Sequence, residues 1–196
     1  IGWPEGEFVR LLFHELAHQV VYAQGDTVFN ESFATAVERL GSARWMAEHS
    51  TPEARAALAA SEQRRAQWRA LTRATRAELQ SIYEQNRGVA LDTQALAAIK
   101  SEAMQRFRAN YAQLRAQWLA AMPGNTPHTQ LAGYDRWVAK ANNASFAAQA
   151  AYDELVPAFE ALFEREGRDW QRFYDAVERL AALPKDERRK ALKINH

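Results

Sequence analysis

The chain has 196 residues, with 25 Lys and Arg against 24 Asp and Glu, and no cysteine. That length supports a real hydrophobic core in one domain or at most two, and the missing cysteines exclude disulfides, thiolate nucleophiles and Cys-ligated zinc. A net charge of +1 gives no bulk reason to expect nucleic acid as a partner, and no apolar run approaches the ~18 residues that span a bilayer.

The 39 alanines, against 8 glycines and 6 prolines, point to helix along the whole chain. The first predicted helix begins at Pro4, a residue suited to a helix's first position, and runs to about Ala23. Phe8, Leu11, Leu12, Val20 and Val21 recur along it at helical spacing. Gly25-Asp26-Thr27 reads as a turn, and a second helix covers about 28–48. Thr51 and Pro52 then cap and open a long Ala/Arg-rich helix that reaches about Arg87, with Gly88 as its C-cap. Asp92 caps the next helix, which runs to about Ala121.

Apolar residues step by three or four along both long helices. Leu58, Trp68, Leu71, Leu79 and Ile82 do so on one, and Leu96, Ile99, Ala103, Phe107, Tyr111, Leu114 and Trp118 on the other. The pair is predicted to form an antiparallel hairpin roughly 45–55 Å long. Met122 to Thr129 is the clearest loop. Helices are then expected at about 130–142, 143–166 (kinked or restarted at Pro157), 169–183 and 185–193. No segment shows a convincing period of two. The expected fold is nearly all-α, a single helical domain over residues 1–196. Zinc-site helices lie in about 1–50, the hairpin in about 51–121 and C-terminal helices in about 129–196. The abrupt opening Ile1-Gly2-Trp3-Pro4 predicts a piece of a longer protein, with any sheet expected mainly upstream.

The chemistry is concentrated between residues 14 and 38. His14-Glu15-Leu16-Ala17-His18 is an HExxH motif. Two histidines at i and i+4 share a helix face, and their imidazoles can converge on one Zn²⁺. Glu15 stands beside them, where a carboxylate can take a proton from the attacking water and pass it to a leaving amine. A third protein ligand is needed. Position 24, where a metzincin would carry its third histidine, is Gln24. His49 and His128 stand isolated. A carboxylate remains, and Glu31 on the next helix is the first candidate, with Asp26 on the connecting turn as the other. Glu38, seven residues after Glu31, shares that helix face and can orient a ligating histidine through its free ring N–H.

Attack on an amide places negative charge on the carbonyl oxygen, so a stabilising donor is expected. Tyr152 is the first candidate and Tyr134 the second. Asn142 and Asn143 interrupt an apolar, Ala-rich stretch, and a buried Asn needs partners. They are expected to bond a loop backbone or to support the site from behind. Arg64, Arg65, Arg69, Arg73 and Arg76 alternate with Glu62, Glu78 and Glu84 and read as a solvated face, with no nucleic-acid partner.

The segment LLFHELAHQVVY followed by GDTVFNESFATAVERLG resembles a bacterial family of predicted aminopeptidases with a gluzincin-type HExxH…NE zinc site. Trp137, Asn142-Asn143-Ala144, Tyr152, Val156-Pro157-Ala158-Phe159 and Asp169-Trp170 with Phe173-Tyr174 resemble its C-terminal blocks. The resemblance implies that His14, His18 and Glu31 bind Zn²⁺ and that Glu15 is the general base. It also implies a peptide or protein substrate and a location in the cell envelope, with a lipid anchor on residues outside this chain. The Gly-x-Met-Glu-Asn segment that anchors a free amine in better-known gluzincin aminopeptidases does not occur, and Thr35 stands where thermolysin-like enzymes have an Asp.

Two classes of function compete. One is a zinc peptidase; the other is a non-enzymatic helical interaction module with a structural or degenerate metal site, suggested by the long hairpin. The intact Glu15 favours the enzyme, because a structural site has no use for a general base. No segment offers a strand edge for a peptide to lie along, so residues upstream of Ile1 are expected to complete the cleft.

Overall fold

The computed structural model describes residues 4–87, 93–122, 128–153 and 155–194. Among them are nine α-helices and no strand, so the all-α expectation holds. They are α1 (Glu5–Val20), α2 (Thr27–His49), α3 (Pro52–Gln85), α4 (Thr93–Ala121), α5 (Ala132–Lys140), α6 (Asn143–Asp153), α7 (Val156–Arg165), α8 (Trp170–Ala181) and α9 (Lys185–Ile194). A short 3₁₀ turn, His128–Leu131, precedes α5. The proposed caps Gly88 and Asp92 and most of the 122–129 loop lie outside the described residues.

The chain divides into two compact units, one of residues 1–60 and 151–196 and the other of residues 61–150. In the first unit, α1 and α2 form a helical pair closed by a tight turn. Gly25 in that turn has φ +75°, the left-handed region that glycine enters at no steric cost. Asp26 follows as the N-cap of α2, its carboxylate accepting from Phe29 N at 3.3 Å. Helices α7, α8 and α9 pack on this pair. Phe33 sits at the centre of their core, fully buried against Phe159, Phe173 and Tyr174 at ring distances of 5.7, 6.0 and 6.3 Å. The helix expected over 143–166 is two helices, because Pro157 at the start of α7 lacks the N–H that a continuous helix would need.

The second unit holds most of the long hairpin. Trp68 meets Tyr111 at 5.8 Å, Glu78 accepts from Arg106 Nε at 2.9 Å, and Lys100 lies 4.1 Å from the Tyr83 ring. Residue numbers rise on α3 as they fall on α4, so the two run antiparallel as the periodicity predicts. Trp68 is buried and also contacts Trp137 and Tyr134. Asp135 on α5 takes hydrogen bonds from Tyr111 Oη at 2.6 Å and Arg115 Nε at 2.8 Å. Burial and the bond to Asp135 both push the Tyr111 hydroxyl well above its usual range.

Candidate metal centre

One turn of helix separates His14 from His18, and their rings lie edge to face with centroids 5.1 Å apart. Glu31, five residues into α2, returns over the pair. Its Oε2 is 3.4 Å from His14 Nε2 and its Oε1 is 3.7 Å from His18 Nε2. One donor atom from each of the three residues lies within 4.8 Å of the others. Ligand bonds of about 2.0–2.2 Å in tetrahedral geometry put neighbouring donors roughly 3.4 Å apart. Two imidazole nitrogens and a carboxylate at these spacings fit a borderline divalent cation such as zinc in both geometry and chemistry.

The turn between the two helices is what brings Glu31 there. Asn30 Oδ1 accepts from Ala23 N at 2.8 Å, and Asn30 Nδ2 donates to Ala23 O at 2.9 Å. Both ends of one buried amide are thus spent on the backbone just past α1. Further along, the helices come close at Gly41, where a Cβ would lie 2.7 Å from the Phe13 ring. Any larger residue there would displace the Phe13 ring.

Behind His14, Glu38 takes the position that its spacing from Glu31 suggests. Its Oε2 is 3.1 Å from His14 Nδ1, and its Oε1 accepts from Arg10, one turn before His14 on α1. Arg10 and Glu38 are both largely buried, with side-chain exposures of 5% and 14%. The bond to Glu38 raises the His14 pKa against the opposing effect of burial. Burial pushes the Glu38 carboxyl up, but the His14 hydrogen bond and the Arg10 charge outweigh it and hold it below the usual carboxylate range. With Nδ1–H directed to Glu38, His14 keeps the Nε2 lone pair for a metal. His18 has no such support: its Nδ1 is buried and bonds nothing among the described residues.

Glu15 is exposed on α1 beside the two histidines. Phe8, Leu11, Leu12, Leu16 and Val20 on the same helix are also exposed. Of the apolar residues expected at helical spacing, Phe8, Leu11, Leu12 and Val20 face away from the core of this unit and Val21 is buried in it.

A family described as "Putative aminopeptidase" has a sequence model that matches residues 1–192. The chain belongs to this putative aminopeptidase family. No curated protein and no solved structure matches it. The match covers both units, so the family's length includes the hairpin as well as the HExxH helix.

The structure sorts the remaining sequence candidates. Asp26, the other carboxylate offered as third ligand, is buried and otherwise engaged. It caps α2 and pairs with Arg188 at 3.0 Å and Arg189 at 3.3 Å. The side chain of Tyr152, on α6, lies outside the described residues. Tyr134 packs in the aromatic cluster of the second unit, 5.2 Å from Trp68 and 5.1 Å from Trp118.

Asn142 and Asn143, expected to bond a loop backbone or to support the site from behind, bond a helix-start backbone N–H and a tyrosine hydroxyl. Asn142 Oδ1 accepts from Ser145 N at 3.1 Å and caps α6, and Asn143 Nδ2 donates to Tyr83 Oη at 2.6 Å. Sequence reading missed Arg10 and the structural use of Asn30. The link from Arg10 to Glu38 leaves no local signal, since the two are 28 positions apart.

Proposed function

We propose that this protein is a zinc-dependent metallopeptidase in which His14, His18 and Glu31 hold the metal and Glu15 is the general base. The observation that carries this reading is the convergence of those three side chains within 4.8 Å, with Glu15 exposed beside them. Family membership supports peptide-bond hydrolysis as the reaction. When bound, zinc supplies Lewis acidity toward a carbonyl oxygen and acidifies a water.

The chain's own residues do the rest. Glu15 takes a proton from the attacking water as its oxygen bonds the carbonyl carbon, then delivers that proton to the amide nitrogen as the C–N bond breaks. The products are a carboxylic acid and a free amine. Glu38 holds the His14 ring through Nδ1 and fixes the tautomer that ligation requires. The resemblance to envelope proteins supports a periplasmic or envelope setting. No described helix is long and apolar enough to cross a membrane.

The test compares wild type with Glu15→Gln, each loaded with zinc, on a free-amine peptide and on the same peptide with its N-terminus blocked. Glu15→Gln should retain the metal and lose hydrolysis by about 10²–10⁴-fold. Preference for the free amine marks an aminopeptidase, and equal cleavage of both marks an endopeptidase. Indistinguishable rates for wild type and Glu15→Gln would overturn the mechanism.

A further inference from the structure

Glu38 is shared between two residues of α1. One carboxylate oxygen receives the Arg10 guanidinium and the other faces His14 Nδ1 at 3.1 Å. Arg10 and His14 are four residues apart, so they lie on one side of α1 and Glu38 reaches across to both from α2. The same two helices carry the ligand set, His14 and His18 on α1 and Glu31 on α2. The bridge therefore ties together the two supports whose relative position sets the distance between ligands.

A largely buried ion pair is weak evidence for stability, because desolvation of the two charges offsets their attraction. An apolar pair of similar volume would hold the helices together as well. What an apolar pair cannot do is fix the rotation of a carboxylate. With a donor on each oxygen, the Glu38 plane is set, and with it the direction from which it accepts the His14 N–H.

We infer that Arg10 is a positioning residue for the metal centre, acting through Glu38 to hold the His14 imidazole with Nε2 aimed at the metal. The inference rests on the ligand assignment proposed above. Without the guanidinium, Glu38 Oε1 is left buried without that donor, and the carboxylate turns to find another. His14 then loses its fixed orientation while remaining in the sequence and on the helix.

The experiment measures zinc affinity by competition with a chromophoric chelator, and the visible spectrum of the Co²⁺-substituted chain, for wild type, Arg10→Met, Arg10→Lys, Glu38→Gln and the Arg10→Met/Glu38→Gln double variant. Circular dichroism confirms folding. Arg10→Met keeps the stem and removes the charge, and should weaken zinc binding about 10–100-fold, the usual cost of losing an outer partner of a ligand. It should also shift the Co²⁺ bands, and Arg10→Lys should recover part of the affinity and of the spectrum.

In the Glu38→Gln background Arg10→Met should add little further loss, because the path from Arg10 to the metal runs through that carboxylate. Wild-type affinity and an unchanged Co²⁺ spectrum in Arg10→Met would overturn the inference, as would fully additive losses in the double variant. If Arg10→Met does not fold, Arg10→Lys decides: an unchanged spectrum and affinity overturn the inference, and an intermediate loss supports it. Failure of the wild type itself to bind zinc would instead refute the ligand assignment.

Discussion

Asn30 and Ala23 exchange two hydrogen bonds, the side-chain amide of one against the backbone N–H and C=O of the other, at 2.8 and 2.9 Å. Asn30 is almost fully buried, so water does not compete for either bond. The pair ties the chain leaving α1 to the first turn of α2, and Asn30 is the residue before Glu31. Asn30→Ala would strand the buried N–H of Ala23, at about 1–3 kcal/mol, and leave Ala23 O only its bond from Asp26 N at 3.2 Å. We expect a loss of roughly 1–3 kcal/mol in urea unfolding, with weaker zinc binding in the folded fraction. Unchanged stability would mean that the turn is held by the Asp26 cap alone.

A second expectation concerns pH in the metal-free chain. The folded pKa of His14 is raised by its bond to Glu38. A raised value means that its stabilising contribution is fully present below the unfolded value of about 6.5 and is lost as pH rises through the folded one. Metal-free wild type should therefore lose thermal stability as pH rises above about 6.5, relative to His14→Asn. Zinc should remove that loss, because the metal replaces the proton on Nε2. Parallel pH profiles for metal-free wild type and His14→Asn would show that the His14–Glu38 contact contributes nothing.

The hairpin core offers an independent check on the second unit. Trp68 is buried among Phe107, Tyr111, Tyr134 and Trp137. Trp68→Ala should cost about 3–5 kcal/mol, from lost burial plus the cavity left behind. Equilibrium unfolding measures it, and a change under 1 kcal/mol would mean that the ring does not sit in that cluster.

Much of this arrangement was legible in the sequence, for identifiable reasons. Alanine-rich periodicity and the Thr51-Pro52 start placed α3 to within two residues of its observed end at Gln85. HExxH spacing put His14 and His18 on one face, and the seven-residue interval from Glu31 put Glu38 behind His14. Each of these signals is local, because a helix converts sequence spacing into direction.

What was not legible depends on how helices cross. Arg10 carries no sequence signal of its use, because Glu38 reaches it from α2, 28 positions away. Asn142 looked like a polar residue inside an apolar helix, although Ser145 three positions on marks it as a cap. Leu12 and Leu16 show the opposite problem: periodicity gives the phase of an apolar stripe, but not what lies against it, and both are exposed.

The central claim is that three side chains from two helices make one metal site. Its most direct measurement is the metal content of the purified chain after zinc loading and removal of excess, for wild type, His18→Ala and Glu31→Gln. Wild type should carry about one zinc per chain, since the ligand set can form one site of this kind. His18→Ala should carry essentially none, and Glu31→Gln should lose its zinc on brief chelation while remaining helical by circular dichroism. Stoichiometric, chelator-resistant zinc in His18→Ala would contradict the assignment.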